Sequence, residues 1–365
     1  MLTKLYFNVI IILSKGNRRK PERRKMSYKK IAAFVLAGTM AIGMSATALA
    51  AGGVSTSTGE ADVSSINITK KVETDGNTYA PNYTFNFSVT PGPSEDYDGN
   101  KVTPGRKDDV IATGAKFTSG TNVQSEYTGT GSLSFDISKY SKPGVYSYTV
   151  TESEVTYEGI SKDDSSYTVY VYVANKTNGG YYISNVVSTK GNTKADITFK
   201  NDYGKTNGKV HSVTIKKVVT GNQADLTKKF DFSLNMTGGE DGETYKVVTP
   251  SEEKSITTGN TISGIKMGNN DEITVYGLTK SDVYKVVEES YASEGYKTYV
   301  DAQSGNETRE ATGNATDANV TKTFYNIKNA DTPTGIIMSY APYIAMLAAA
   351  CILAVVFFNR RREDA

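Results

Sequence analysis

The chain has 365 residues, with 41 lysine and arginine residues against 39 aspartate and glutamate residues, and it has one histidine and one cysteine. Ten of the basic residues lie in the first 30 positions, so the span 51–334 is acidic, with 28 basic and 36 acidic residues. This balance argues against a nucleic acid partner. The single histidine and cysteine exclude a His/Cys metal site, and a Ser-His-Asp triad would have to rely on His211 alone.

Residues 1–50 are predicted to be a leader that is removed on secretion. Lys29 and Lys30 precede an apolar run, and Ala48-Leu49-Ala50 then gives a small-x-small cleavage pattern. A start at Met26 would give a signal of ordinary length, so we expect it to be the true start. The alternative is a genuinely long leader. An exported chain whose only cysteine lies near its C-terminus cannot rely on disulfides for stability.

The span that follows the leader predicts β-structure throughout. Short runs rich in Val, Ile, Thr, Tyr and Phe alternate with clusters of Gly, Asn, Asp and Pro, and no helical stripe is present. A span of this length with many short strands predicts an all-β fold of two tandem β-sandwich domains, over 63–203 and 209–330. The polar, turn-rich segment 91–126 predicts a long loop with room for one short strand.

An internal repeat supports the division into two domains. Each half opens on a strand with a Lys-Lys-Val core, at 66–72 and at 213–219, and each continues with a Phe-x-Phe strand. Each half then has a tyrosine-containing strand that ends in glutamate, and each closes on a Thr-Phe-x-Asn strand. Two copies of one supersecondary pattern indicate two copies of one fold.

Strand alternation places one lysine, one glutamate and one asparagine of each half on core-facing positions. A buried lone charge is costly, so a snorkelling lysine and two polar strand ends would be the better explanation of a single such set. The same triple in both halves favours a chemical role instead. The two sets are Lys70, Glu152 and Asn201, then Lys217, Glu288 and Asn326.

These residue types together predict an intramolecular amide bond. Burial lowers the pKa of a lysine amine and raises the pKa of a glutamate carboxyl. The neutral amine is then a nucleophile and the carboxyl can transfer protons. Attack of the lysine Nζ on the asparagine Cγ, with loss of ammonia, would leave an isopeptide bond. Each domain would react once, on itself, so we do not expect an enzyme with turnover, and we expect no cofactor.

The C-terminal end has three parts. The motif Thr332-Pro333-Thr334-Gly335 comes first, and the predominantly apolar stretch 336–358 follows, long enough to span a bilayer. The tail 359–365 contains the arginine run 360–362, which would keep it in the cytoplasm. The alternative for this end is a plain stop-transfer anchor.

In its motifs and their order, the chain resembles the isopeptide-linkage domains of streptococcal T-antigen-type backbone pilins. The resemblance implies Ig-like (Cna-B-like) sandwiches stacked end to end, and it assigns bond formation to the two residue sets given above. The motifs that carry it are Lys-Pro-Gly-Val-Tyr (142–146), Val-Thr-Glu (150–152), Phe-Lys-Asn (199–201), Pro-Thr-Gly (333–335) and Ala-Pro-Tyr-Ile-Ala (341–345).

The resemblance also implies covalent assembly at the cell wall by a pilin-type sortase. The sortase would cut after Thr334 and pass the acyl group to a lysine of the next copy in a head-to-tail fibre, which minor pilins would accompany. Lys194 lies at the position of that acceptor, and Lys190 is its close competitor. The remaining alternative is that Lys194 is an unreactive surface lysine. The motif 332–335 is shorter than the common Leu-Pro-x-Thr-Gly signal, which leaves the sortase class open.

Two other functions share some of these features. A singly wall-anchored adhesin could be built from the same signal, domains and anchor, and it would differ only in lacking a lysine that accepts the next copy. A surface hydrolase is the third possibility. The single histidine and the lack of a clustered carboxylate motif count against it.

Overall fold

The structure, a computed structural model, describes residues 52–330 and 342–354. The predicted leader over 1–50 and the sorting motif over 331–335 lie outside the described residues.

The first half of the described chain forms two main sheets and a short ribbon. One sheet has the order β1-β12-β11-β9-β4, with β13 on β12 and β5 on β9, and the other has the order β10-β14-β2-β8-β6, while β3 pairs with β7. These strands are β1 (Val54–Thr56), β2 (Ser65–Thr74), β3 (Thr84–Phe85), β4 (Phe87–Pro91), β5 (Val102–Pro104), β6 (Val110–Thr113), β7 (Ala115–Lys116), β8 (Glu126–Phe135), β9 (Gly144–Glu152), β10 (Ile160–Ser161), β11 (Ser166–Asn175), β12 (Tyr181–Lys190), β13 (Thr193–Lys194) and β14 (Thr198–Tyr203).

The second half forms a six-stranded sheet in the order β18-β17-β20-β15-β24-β22 and a four-stranded sheet in the order β19-β16-β21-β23. Its strands are β15 (His211–Thr220), β16 (Phe230–Thr237), β17 (Thr244–Val248), β18 (Glu253–Thr257), β19 (Thr261–Met267), β20 (Glu272–Leu278), β21 (Val283–Glu288), β22 (Lys297–Val300), β23 (Glu310–Gly313) and β24 (Val320–Ile327). Short 3₁₀ turns lie at Lys107–Asp109, Ile137–Lys139 and Ala292–Glu294.

Each half has its own hydrophobic core between its two main sheets, and the two cores share no residue. The prediction of an all-β fold with two tandem sandwiches is confirmed. We call the unit of β1–β14 the first domain and the unit of β15–β24 the second domain. Most strand pairs are antiparallel, but the first long strand of each domain lies parallel to the last, as β2 beside β14 and as β15 beside β24.

The segment 91–126 differs from its prediction as a long loop. It contains the three short strands β5, β6 and β7. Val102 of β5 packs with Val145, Tyr170 and Val187 in a small apolar cluster apart from the main core. Short strands of this kind form because a neighbouring sheet supplies the pairing and packing, which a local sequence pattern does not reveal.

The junction between the domains is buried and polar. The Tyr203 hydroxyl of the first domain donates to Glu243 Oε1 of the second domain at 2.9 Å. Tyr245 donates to Glu243 Oε2 at 3.2 Å and to Asp282 Oδ1 at 2.6 Å. All four side chains are almost fully buried. Burial and the nearby Asp282 raise the pKa of the Glu243 carboxyl to about 8, and burial also raises the pKa of Asp282.

A helix covers residues 342–354, within the predicted anchor 336–358. Among the described residues, no helix has both the length and the apolar character that a membrane crossing requires. The remainder of the predicted anchor lies outside the described residues.

Candidate functional sites

The lysine and the asparagine of each set lie on neighbouring parallel strands in the same register. Lys70 of β2 is opposite Phe199 of β14, and Asn201 is two residues further on, opposite Val72. In the second domain Lys217 is opposite Phe324, and Asn326 is opposite Val219. Residues two apart on a strand share a face, so each pairing brings an amine and an amide together on the core side.

The glutamate of each set comes from the facing sheet. Glu152 ends β9 and is opposite Phe87 of β4, and Glu288 ends β21 and is opposite Phe232 of β16. Both glutamates therefore enter the core at the same point of their sheets, next to the second phenylalanine of the Phe-x-Phe strand. The structure brings together all three predicted residues in each domain.

The first site is buried and closely packed. Lys70, Glu152 and Asn201 are at most 2% exposed. The Lys70 Nζ lies 2.7 Å from Glu152 Oε1, and it donates a short hydrogen bond to Asn201 Oδ1. The Asn201 Nδ2 donates to Glu152 Oε1 at 3.2 Å. The amine therefore lies beside the amide group that it would attack.

The second site has the same three partners in a slightly different arrangement. Lys217, Glu288 and Asn326 are all fully buried. The Lys217 Nζ donates to Glu288 Oε2 at 3.0 Å, and the Asn326 Nδ2 donates a short hydrogen bond to Glu288 Oε1. The glutamate thus holds the amine with one oxygen and the amide nitrogen with the other.

Burial favours the neutral forms of these groups. Desolvation lowers the pKa of the Lys70 amine, although Glu152 opposes the change. Desolvation lowers the pKa of Lys217 to about 8, and it raises the pKa of the Glu288 carboxyl. A buried lysine and carboxylate gain little from their attraction once the cost of desolvation is counted. Conversion to a neutral amide would remove that cost.

An aromatic ring covers each amine. The Lys70 Nζ is 4.7 Å from the centre of the Phe85 ring, and the Lys217 Nζ is 4.5 Å from the centre of the Phe230 ring. These rings exclude water from the amine and belong to the first phenylalanine of each Phe-x-Phe strand. The Phe-x-Phe repeat was predicted as a strand but was not assigned to the site, and its recurrence after the lysine strand of each half was the signal that could have done so.

The two sites differ in what else touches the asparagine. In the first site the Asp163 backbone N–H donates to Asn201 Oδ1 at 3.2 Å and to Glu152 Oε2 at 3.0 Å. In the second site Asn326 Oδ1 is buried without a hydrogen-bond partner among the described residues. Arg309 lies close by instead, and its Nη1 donates to the Glu288 carbonyl at 3.0 Å. Neither Asp163 nor Arg309 carries a local sequence signal.

The predicted acceptor lysines lie at the surface and belong to neither buried site. Lys194 is in β13 and Lys190 ends β12, and the two strands form a hairpin in which both lysines are exposed. The Lys190 amine donates to Ser165 Oγ at 2.8 Å, whereas Lys194 Nζ has no hydrogen-bond or ion-pair partner within the described part of the chain. Thr332, Pro333, Thr334 and Gly335 lie outside the described residues, so the donor end has no described geometry.

The chain is therefore of the class of tandem β-sandwich proteins with a buried Lys-Glu-Asn site between the first and last strands of each sandwich. Residues 66–204 match the family described as a Spy0128-like isopeptide containing domain, and residues 211–328 match a domain of unknown function (DUF7601). The chain belongs to the family of streptococcal major pilins.

Curated and solved relatives support this assignment. The chain is 30% identical over 318 residues to a pilin of Streptococcus pyogenes serotype M1, with 81% of this chain and 90% of the relative covered. The crystal structure of the major pilin from Streptococcus pyogenes matches with a TM-score of 0.56 at 26% identity, over 73% of this chain and 99% of that one. The T3.2 major pilin from the same species matches with a TM-score of 0.55 at 26% identity, over 76% and 99%.

Proposed function

We propose that the chain is the shaft subunit of a covalent surface pilus, in which each domain is closed by its own Lys–Asn isopeptide bond. The observation that carries the proposal is the pair of equivalent buried sites, each with its amine and amide joined through one glutamate. The similarity to major pilins supports the shaft role over that of a singly anchored adhesin.

The proposed reaction joins Lys70 to Asn201 and Lys217 to Asn326. The neutral Nζ forms a bond to Cγ of the asparagine, the Cγ–Nδ2 bond breaks, and Nδ2 leaves as ammonia. One proton moves from Nζ to the leaving nitrogen, so no oxidant, reductant or water is consumed. Proximity within a packed core replaces the encounter of two molecules and supplies much of the rate.

The glutamate is the proton carrier in this proposal, because it contacts both the attacking and the leaving nitrogen. In the first site Glu152 Oε1 is 2.7 Å from Lys70 Nζ and 3.2 Å from Asn201 Nδ2. In the second site the two oxygens of Glu288 divide these contacts. These distances are within the reach of a general acid or base.

An intact mass of the folded 51–334 span tests both bonds at once. We expect a mass below that of the sequence by two molecules of ammonia. The Glu152→Ala and Glu288→Ala variants should each lose one ammonia fewer, and the double variant should lose none. A parent mass equal to the sequence mass would exclude both bonds.

Assembly is proposed to join Thr334 of one copy to Lys194 of the next, through a pilin-type sortase. The Lys194 amine is exposed and has no partner among the described residues, which supports this choice over Lys190, whose amine is held by Ser165 and lies over the Tyr167 ring at 5.3 Å. The buried Lys70 and Lys217 are unsuitable acceptors. Other copies, a sortase, minor pilins and the membrane before cleavage are the proposed partners, and the cell wall is the proposed location.

A ladder of SDS-resistant multimers tests this assignment in cells that carry the sortase. Lys194→Ala should abolish the ladder while the monomer keeps both internal bonds, and Lys190→Ala is the matched control that should keep it. The opposite pattern would move the acceptor to Lys190. A parent chain that forms no ladder at all would favour the singly anchored adhesin.

A further inference from the structure

The chain that leaves the last strand of the second domain is held by a loop at the end of the first strand of that domain. Beyond the end of β24 at Ile327, Lys328 donates its N–H to Thr220 O at 3.0 Å, and Gln223 donates its N–H to Lys328 O at 3.1 Å. Parallel pairing between β15 and β24 is therefore continued past both strand ends.

Asn222 holds the next residues with its side chain. Its Oδ1 accepts the Ala330 N–H at 2.8 Å, and its Nδ2 donates to the Ala330 carbonyl at 3.1 Å. Asn329 returns the contact, because its Oδ1 accepts the Asn222 N–H at 3.0 Å. An amide side chain that satisfies both backbone groups of one residue acts as one more rung of a sheet.

The loop is also shaped for this contact. Gly221 has φ +115°, and a Cβ at this position would lie 2.2 Å from the Lys328 carbonyl oxygen. A side chain there would force the tail away from the loop. Gly221, Asn222 and Asn329 together form what we call the tail clamp.

We propose that the tail clamp is a positioning device for subunit joining, which holds the chain at Ala330 so that Thr334 reaches the acceptor lysine of a second copy over a short, directed distance. The inference rests on the proposed function. Four residues, 331–334, follow the clamp up to the acyl carbon, and even fully extended they span at most about 14 Å. Without the clamp the last held residue would be Lys328, and the corresponding reach over residues 329–334 would be about 22 Å.

A shorter tether raises the effective concentration of the acyl group at the neighbouring amine. It also confines the contact between copies to the end of the second domain that bears Asn222. The clamp should therefore act on transfer to a second copy, and it should not act on transfer to a small, freely diffusing amine.

The experiment uses the full chain in detergent with its pilin-type sortase and two competing acceptors, a second copy of the chain and hydroxylamine. Asn222→Ala removes both side-chain hydrogen bonds to Ala330. We expect the initial rate of dimer formation to fall roughly three- to tenfold, the worth of about one exposed hydrogen bond. The rate of Thr334 hydroxamate formation should stay within about twofold of the parent, because a diffusing amine needs no delivery.

Two further measurements separate the clamp from a general effect on the fold. Asn235→Ala is the matched control, because Asn235 is an asparagine of the same domain whose Nδ2 donates to Asn260 O at 2.8 Å, and this variant should leave both rates unchanged. Trypsin should cut after Lys328 faster in Asn222→Ala than in the control, because the clamp protects that bond.

Each outcome is informative. Equal dimer rates in the parent and Asn222→Ala would overturn the clamp alone. A parallel loss of dimer and hydroxamate would also overturn it, because Asn222 would then act on sortase recognition. A parent chain that gives hydroxamate but no dimer would refute subunit joining itself, and the clamp would fall with it.

Discussion

The first and second sites contain the same three residue types in the same strand register, but the asparagine Oδ1 has different hydrogen-bond partners in the two sites. In the first domain the Lys70 amine and the Asp163 backbone N–H both donate to Asn201 Oδ1. In the second domain Asn326 Oδ1 has no partner within the described chain, and Glu288 alone orders the amine and the amide nitrogen. The strands thus fix which residues meet, and in the first domain the loop at Asp163 adds a further donor to the reacting carbonyl.

This difference should affect the rate at which each isopeptide bond forms. The carbonyl oxygen gains negative charge when the amine adds to Cγ, and a donor already aimed at that oxygen stabilises the charge. We therefore expect the first bond to form before the second in a newly folded chain. A time course of tryptic cross-linked peptides after cell-free synthesis would show the order.

The largest effect should come from removing either glutamate. Glu152→Ala and Glu288→Ala should each leave a lysine and an asparagine unlinked, and loss of a cross-link over a loop of this size costs about 5 kcal/mol in the free energy of unfolding. An unpaired buried lysine adds to the cost. The thermal midpoint and the trypsin resistance of the affected domain should both fall.

Matched glutamine variants separate the loss of stability that comes from the missing bond from the loss that comes from altered packing. Glu152→Gln and Glu288→Gln keep the volume of the side chain, but they cannot shuttle the proton, so the bond should fail while most of the packing remains. A glutamine variant that keeps the full ammonia loss would show that the carboxyl is not the proton carrier.

The two domains should also differ in how their stability depends on pH. Burial and the neighbouring Asp282 raise the pKa of Glu243 to about 8 from 4.5, so the folded state binds more protons than the unfolded state between these values. Stability should therefore increase as pH falls from about 8 towards 4.5, and it should be lost as pH rises through 8. The change in the free energy of unfolding over this pH range should be on the order of a few kcal/mol. In the cross-linked chain Lys217 is an amide and does not titrate.

Denaturant unfolding of the second domain at pH 5, 7 and 9 measures this dependence. Glu243→Gln should flatten it, because glutamine stays neutral in the folded and unfolded states. A slope that persists in Glu243→Gln would assign the effect to other groups, of which Asp282 is the first to examine.

The smallest expected effect concerns the rate of the first bond. Asp163→Pro removes the N–H that faces Asn201 Oδ1, and loss of one such donor slows related reactions roughly a hundredfold. Asp163→Ala is the control, since it removes the side chain and keeps the N–H. The second bond, read in the same sample, should form at the parent rate in both variants. Equal first-bond rates in the two variants would assign no catalytic part to the N–H.

The strand face of each reactive residue could be predicted from the sequence, because a period of two is a local property. Lys70 and Lys217 alternate with apolar residues that the structure buries beside them. The Asp163 N–H, Arg309 and the Asn222 clamp could not be predicted this way. Each comes from outside the strand that it serves, and its position depends on how distant segments pack. The strands of the segment 91–126 escaped prediction for the same reason.

The parallel pairing of the first and last strands has a mechanical consequence, which we state as a hypothesis. If Lys194 is the acceptor, a pull on the fibre enters the first domain at β13 and leaves it along β14, only a few residues later. Most of the first domain, including Lys70, then lies outside the path of the applied force. In the second domain the pull enters along β15 and must cross to β24, which pairs with it, and the proposed Lys217–Asn326 bond would be the covalent route between them. Stretching of single sortase-linked fibres should extend Glu288→Ala subunits by unfolding and leave Glu152→Ala subunits near their original length. The reverse result would place the point of attachment elsewhere in the first domain.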